Sequence, residues 1–335
     1  MYSVEEICPD LSWQQELSDA FTRLDDLLDF LSIDIKNLTE HERACKSFPL
    51  LVTRSYAERI KKGDISDPLL RQVLPLPAEL QQHSNFSNDP VGDSTATVLP
   101  GLIHKYHGRA LIVTTPACAI HCRYCFRRTF PYADNSAHRS HFEHILSHLK
   151  SNPDIEEVIL SGGDPLTLSD QRFKEVITKI SAIKHIRRIR LHTRLPIVLP
   201  SRVTDFLLDT LVKISQPIII VIHANHPNEI TSEVTQALIK LKHPQITLLN
   251  QSVLLKGIND QADILVKLSH RLFDAQVLPY YLHLLDRVNG SMHFDLPQHE
   301  ALTIYQHIQQ KLPGYLVPRL AREEEAMPNK TLINQ

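Results

Sequence analysis

Six short β-rich runs, ALIVTT (110–115), EEVILS (156–161), IRRIRLHT (186–193), PIIIVIHA (217–224), QITLLNQS (245–252) and VLPYYLHL (277–284), recur along the chain with a longer segment between each pair. Four of those segments, DQRFKEVITKISAI, VTDFLLDTLVKI, NEITSEVTQALIKL and DQADILVKLSHRLF, carry apolar residues three and four apart. That spacing gives a helix one apolar face. Strand followed by helix, many times over, leaves few solutions, because parallel neighbours need long crossovers and those crossovers are right-handed. The pattern predicts an α/β fold, an open or complete (β/α) barrel whose reactive loops stand at the carboxyl ends of its strands.

The flanks read differently. SWQQELSDAFTRLDDLLDFL has helical spacing, and the stretch onward to Pro100 is broken by proline and Asp-Pro steps. We divide the chain into an accessory helical and irregular segment (1–105), a barrel (106–314) and a C-terminal segment (315–335). With 335 residues, 42% hydrophobic, a full core is within reach. Net charge is −2, so no global field favours a polyanion; no nucleic-acid partner is expected. PIIIVIHA is far too short to span a bilayer, and MYSVEEICPD carries acids where a signal peptide needs positive charge. A cytoplasmic protein with no membrane association is expected, and five cysteines fit a reducing compartment.

Three of the five, Cys118, Cys122 and Cys125 in CAIHCRYCFRR, directly follow the first strand. Three thiolates on one loop leave a four-iron cluster one open coordination site. The alternatives are a zinc knuckle, which wants a fourth close Cys or His, and incidental buried thiols. His121 is the candidate fourth ligand, although neighbours in a short loop rarely bind one tetrahedral ion together. Cys8 and Cys45 lack ligand spacing and read as free or buried thiols. After the second strand comes Ser161-Gly162-Gly163-Asp164-Pro165, whose glycines let backbone approach a ligand and adopt positive φ. The same string also suits an ordinary strand-to-helix turn. His192-Thr193-Arg194-Leu195-Pro196 and Asn250-Gln251-Ser252-Val253-Leu254-Leu255 are weaker signals at strand ends. The tail, YLVPRLARE (315–323), reads as a short strand followed by a polar stretch to Lys330, a position where a lone lysine is ordinarily solvated.

The Cys-x3-Cys-x2-Cys spacing, with Tyr124 before the last cysteine, resembles the radical S-adenosylmethionine (SAM) enzymes. In them the open iron binds SAM, and a Gly-Gly-Glu-Pro motif, matched here by Gly162 to Pro165 with Asp164 for glutamate, meets its amino group. Together with LIHKYHGRALIVTTPACAIHCRYCFRR, HTRLPIVLPSRV, NQSVLLKGIND and VLPYYLHLLDRVNGSMHF, the chain is similar to the lysine 2,3-aminomutase family from about residue 48 onward. The resemblance implies a partial (β/α)6-type radical SAM barrel behind an N-terminal helical segment. It also implies three cofactors: a [4Fe-4S] cluster on the three cysteines, SAM contacted by Tyr124 and by Ser161, Gly162, Gly163, Asp164 and Pro165, and pyridoxal 5′-phosphate (PLP) on Lys330, with Arg109 at the phosphate. Arg127 matches the arginine for the substrate carboxylate, and Asp286 with Glu323 the acids for the side-chain ammonium. Glu323 replaces an aspartate, and EEEAMPN stands where the family has a glycine-rich stretch before the lysine.

Within the family the chain is most similar to the short bacterial subgroup that makes β-lysine for elongation factor P (R)-β-lysylation. The implied partners are L-lysine, a reductant such as flavodoxin or ferredoxin, and functional links to elongation factor P and its β-lysine ligase. The competing readings are an aminomutase for arginine or glutamate, and a non-catalytic iron-sulfur module binding nucleic acid through RYCFRR and HIRRIR. Two acids at the side-chain end disfavour glutamate.

Overall fold

A computed structural model describes residues 12–35 and 38–333; Cys8 lies outside them. Ten strands form one sheet whose neighbours follow chain order: β1 (Thr97–Leu99), β2 (Leu102–Tyr106), β3 (Arg109–Thr115), β4 (Glu157–Gly162), β5 (Arg188–Thr193), β6 (Ile218–His223), β7 (Ile246–Val253), β8 (Leu278–His283), β9 (Arg319–Arg322) and β10 (Thr331–Leu332). Pairing is parallel from β3 to β9 and antiparallel at both ends. Each of the six expected runs is one strand of the parallel stretch. β1 and β10 end the order without pairing, so the barrel is open.

The helices are α1 (Trp13–Ser18), α2 (Leu24–Leu31), α3 (Leu38–Ser47), α4 (Arg54–Ala57), α5 (Arg139–Ser151), α6 (Asp170–Ser181), α7 (Leu195–Val198), α8 (Asp205–Val212), α9 (Ser232–Lys240), α10 (Ala262–Asp274) and α11 (Gln298–Lys311). Ser169, Thr204 and Thr231 cap α6, α8 and α9 by accepting from the backbone N–H three residues on. α5 lays Phe142, Ile145, Leu146 and Leu149 on the core, the 3.6-residue stripe of a helix outside a sheet. One expected helix is two. The 12–31 pattern breaks after α1 because Phe21 exchanges both backbone hydrogen bonds with Val52, at 2.8 and 3.0 Å. A tertiary bridge there outweighs local propensity.

Side chains alternate across each strand. On β5, Ile189 and Leu191 are buried in the main core, while Arg190 and His192 line an interior cavity. Charged side chains project into an otherwise largely apolar interior, and the open seam is bridged by side chains. Lys105 on β2 reaches Glu323 just beyond β9 at 3.0 Å, and Thr95 donates to Glu325 at 3.3 Å.

Candidate active site

β3 leads into the cysteine loop, and β4 into the Gly-Gly turn beside it. Gly163 N–H donates to the Thr115 carbonyl at 2.7 Å, and Asp164 N–H to the Ala117 carbonyl at 2.8 Å. Gly162 holds φ at 116°, and a Cβ on Gly163 would stand 2.2 Å from the Ala117 carbonyl oxygen. Glycine is therefore required where the two loops touch. Replacing Gly163 by alanine must push the cysteine loop away, an overpacking against backbone that costs about 1–3 kcal/mol or more. Gly163→Ala is expected to lower Tm and to retain much less iron after anaerobic reconstitution than the wild type; unchanged iron would refute the close-contact argument.

Asp164 is buried and its carboxylate is fully used. It accepts from Leu166, Arg194 and Leu195 N–H at 3.0, 2.7 and 3.2 Å and from the Thr193 hydroxyl at 2.8 Å. Burial pushes it up to about 6 against those donors. Its carboxylate braces β4 to the end of β5, which leaves the turn's backbone, rather than this side chain, to face a ligand.

The N-terminal segment grips the same loop from the other side. Glu79, fully buried, pairs with Arg123 at 2.6 Å and Arg128 at 2.7 Å. Arg123 also donates to the Phe48 and Pro49 carbonyls. His121 stacks on Phe48 with ring centroids 5.0 Å apart, and its Nδ1 is 2.9 Å from the Pro49 carbonyl. It is thus a packing residue in this fold. Cys45 is half-buried against the core. Tyr124 is buried, stacked on His223, and bonded through its hydroxyl to His223 and Asn225. Arg194 donates to Cys122 Sγ at 2.7 Å and to Glu229 at 2.9 Å.

One cavity of about 410 Å³ is lined by Cys118, Cys122, Cys125, Arg109, Tyr124, Arg127, Ser161, Gly162, Gly163, Asp164, Asp286, Glu323 and Lys330. Pro165, which starts a short turn after β4, is not among its lining residues. Among the described residues no group of three or more His, Cys, Asp or Glu is arranged around a single metal ion. The three thiols nevertheless share the cavity wall. Burial and then the neighbouring Cys125 raise the Cys118 thiol, and burial and then Cys122 push Cys125 up to about 11. A cationic cluster offsets such a concentration of thiolates, so the donor set fits one.

Charged groups missing from the sequence reading link the other end. Asp93, buried, holds Arg127 Nε at 2.6 Å and Lys105 Nζ at 2.6 Å. Lys105 passes to Glu323, and Glu323 to Lys330 Nζ at 2.5 Å. Burial alone raises a carboxyl, yet Lys330 and Lys105 hold Glu323 far below the usual carboxylate range. Asp286 Oδ1 is buried with no hydrogen-bond partner, and burial, then the Glu323 charge, pushes the acid up to about 7. At the amino end of the strands, burial and then the Arg109 charge lower Arg190, and Arg109 lies over Tyr106 at 4.7 Å. Arg190 is also paired with Glu157, and the donors that the two guanidiniums leave free suit a phosphate. Ala326 takes left-handed backbone at φ 61°, so alanine adopts the conformation glycine would supply in the loop before Lys330.

An open (β/α) barrel with a cysteine triad after its first parallel strand defines a radical SAM enzyme, and residues 112–267 match the Radical SAM superfamily. The chain is 45% identical to L-lysine 2,3-aminomutase of Escherichia coli, over 96% of this chain and 94% of that protein. It is 43% identical to the Haemophilus influenzae protein of the same name, over 96% and 95%. A radical SAM methyltransferase structure from Sphaerobacter thermophilus aligns with TM-score 0.45 and 14% identity over 66% of this chain and 68% of that one. The chain belongs to the lysine 2,3-aminomutase family. Membership implies a [4Fe-4S] cluster, SAM, PLP and a source of electrons. No helix among the described residues is long and apolar enough to cross a membrane.

Proposed function

We propose that this protein isomerises L-lysine to β-lysine by moving the amino group from carbon 2 to carbon 3, and that the product serves modification of elongation factor P. The carrying observation is a single cavity shared by a thiol triad and a lysine paired with acid, in a chain similar over nearly its whole length to proteins named L-lysine 2,3-aminomutase. When bound, SAM at the cluster's open iron supplies a carbon radical that takes a hydrogen atom, and PLP supplies the carbonyl that carries the migrating nitrogen.

In this reading Cys118, Cys122 and Cys125 hold the cluster, while Tyr124 and the turn Ser161 to Pro165 shape the SAM side. Arg109, with Arg190, takes the PLP phosphate and Lys330 carries the cofactor. Arg127 has Nε on Asp93 and Nη1 on Ser161, which leaves Nη2 for the substrate carboxylate. In the free chain Glu323 is paired with Lys330. Once Lys330 takes up the cofactor, the substrate ammonium restores a cation beside Glu323 and gives the unpartnered Asp286 its first. Fixing lysine at both ends holds carbon 3 in reach of the radical.

Anaerobic incubation of the reconstituted protein with SAM, reductant and L-lysine should give β-lysine by mass-resolved chromatography. Deoxyadenosine without β-lysine would mean another substrate. A strain lacking the protein should carry unmodified elongation factor P, corrected by added β-lysine; an unchanged factor mass would refute that role. Flavodoxin or ferredoxin is the proposed electron donor, and the cytoplasm the proposed site of action.

The raised acid gives this reading a pH signature. Asp286 ionises near 7 in the fold against an ordinary 3.8, so its stabilising contribution is complete below about pH 4 and is lost as pH rises to about 7. A bound ammonium needs the ionised form. KM for lysine should therefore climb up to about tenfold per pH unit below 7. Asp286→Asn should abolish that dependence, hold KM high throughout, and raise Tm relative to wild type above pH 7. An identical KM profile in the variant would refute the assignment.

A further inference from the structure

β5 measures the cavity from end to end. Its cavity face carries Arg190 beside Arg109 at the amino end of the strands, then His192, and just beyond the strand Arg194, which donates to Cys122 Sγ. Same-face residues stand about 6.6 Å apart along a strand. His192 is thus midway between the two guanidiniums that suit a phosphate and the thiol loop, the level at which two cofactors bound at those ends would meet. Its Nε2 is buried with no hydrogen-bond partner. Lowered first by burial and then by the charges of Arg190, Lys330 and Arg127, against Glu323, the ring is neutral and keeps one donor and one acceptor. Arg190 is paired with Glu157, Lys330 with Glu323 and Arg127 with Asp93, so the ring is a neutral donor among ion pairs, and an oxygen acceptor is the partner it lacks.

We propose that His192 contacts the reacting pair directly, its ring N–H donating to an anionic oxygen, either the ring oxygen of PLP or the carboxylate of lysine. The proposal rests on the aminomutase reading and adds a contact between the anchors at the two ends. An aliphatic residue there would remove the one neutral donor that fixes that oxygen between the anchors at the two ends.

The test compares wild type, His192→Leu and His192→Gln, each loaded with iron and PLP. The visible absorbance of bound PLP is followed against pH without lysine, and KM and kcat are then measured with lysine. If the partner is the PLP ring oxygen, the leucine variant should move the midpoint of the absorbance change by a pH unit or more. If it is the carboxylate, the absorbance profile stays and KM for lysine rises about ten- to a hundredfold with a smaller change in kcat. The glutamine variant should fall between wild type and leucine in either arm. A leucine variant with full iron, wild-type Tm, wild-type absorbance profile and wild-type KM overturns the proposal. Should leucine cost iron or Tm, His192→Met decides: it fills a similar volume with no N–H donor, and wild-type absorbance and KM there overturn the proposal. Absence of β-lysine from the wild type would count against the aminomutase reading and leave the lysine-free absorbance arm to judge His192.

Discussion

Lys330→Ala is expected to abolish β-lysine formation, lowering turnover by about 10³-fold or more, as deletion of a covalent group does. The variant should fold and keep its iron. Lys330 is a half-buried residue on a loop, and its ion pair is with Glu323, which retains Lys105 at 3.0 Å. Its Nζ lines the cavity and pairs with Glu323, and among the described residues it forms no hydrogen bond with the Gly-Gly turn that meets the cysteine loop. Iron content and SAM binding should thus match wild type, while the visible absorbance of lysine-linked PLP disappears. Losing Lys330 also removes a cation that holds Glu323 ionised, so the acid's affinity for protons should rise. Added PLP with high lysine should restore a little activity, because the substrate amine can join the cofactor without the protein's lysine. A variant that kept both the absorbance and the turnover would move the cofactor elsewhere.

The six parallel strands read from the sequence were legible because each is a short run rich in β-branched, leucine or aromatic residues bounded by polar segments, and because sequential pairing demands nothing beyond neighbours. β9 and β10 were less so. A two-residue strand such as Thr331–Leu332 has no pattern of its own and exists because the tail turns back on β9. α5 was missed although its apolar stripe is regular, since three histidines dilute the contrast between its faces. α11 buries little beyond Ala301 and Ile308, so its weak periodicity reflects a helix mostly on the surface.

Site residues within motifs were readable, and those that act through long-range pairing were not. Asp93 lies in a proline-interrupted stretch that carries no motif, yet it joins Arg127 to Lys105 from 34 residues before the cysteine loop's arginine. Its signal was a single acid, indistinguishable from Asp89 until the chain is folded. Glu323 was found by resemblance, but its pairing with two lysines at once follows from how the two ends of the open sheet approach, Lys105 on β2 reaching across to the tail after β9, which no local pattern encodes. The same limit explains why the N-terminal segment read as an accessory cap.

Glu79→Ala tests that segment's part in the site. Glu79 and Arg123 have no exposed side-chain surface, and Arg128 has almost none. Removing the acid strands two guanidiniums in the interior, and breaking a buried pair in this way costs about 3–5 kcal/mol. Arg123 stands between Cys122 and Cys125, and Arg128 follows them by three residues, so the strain falls on the loop that carries the thiols. Tm should fall by about 5–15 °C, and iron retained after reconstitution should fall with it. Glu79→Gln keeps an acceptor for Arg123 but not the charge, and should lie between the two. PLP bound through Lys330 should be affected much less, because that loop is tied to β2 and β9. Equal loss of iron and PLP would mean global unfolding. Loss of iron with PLP retained would show that residues more than forty positions upstream hold the cluster loop in shape.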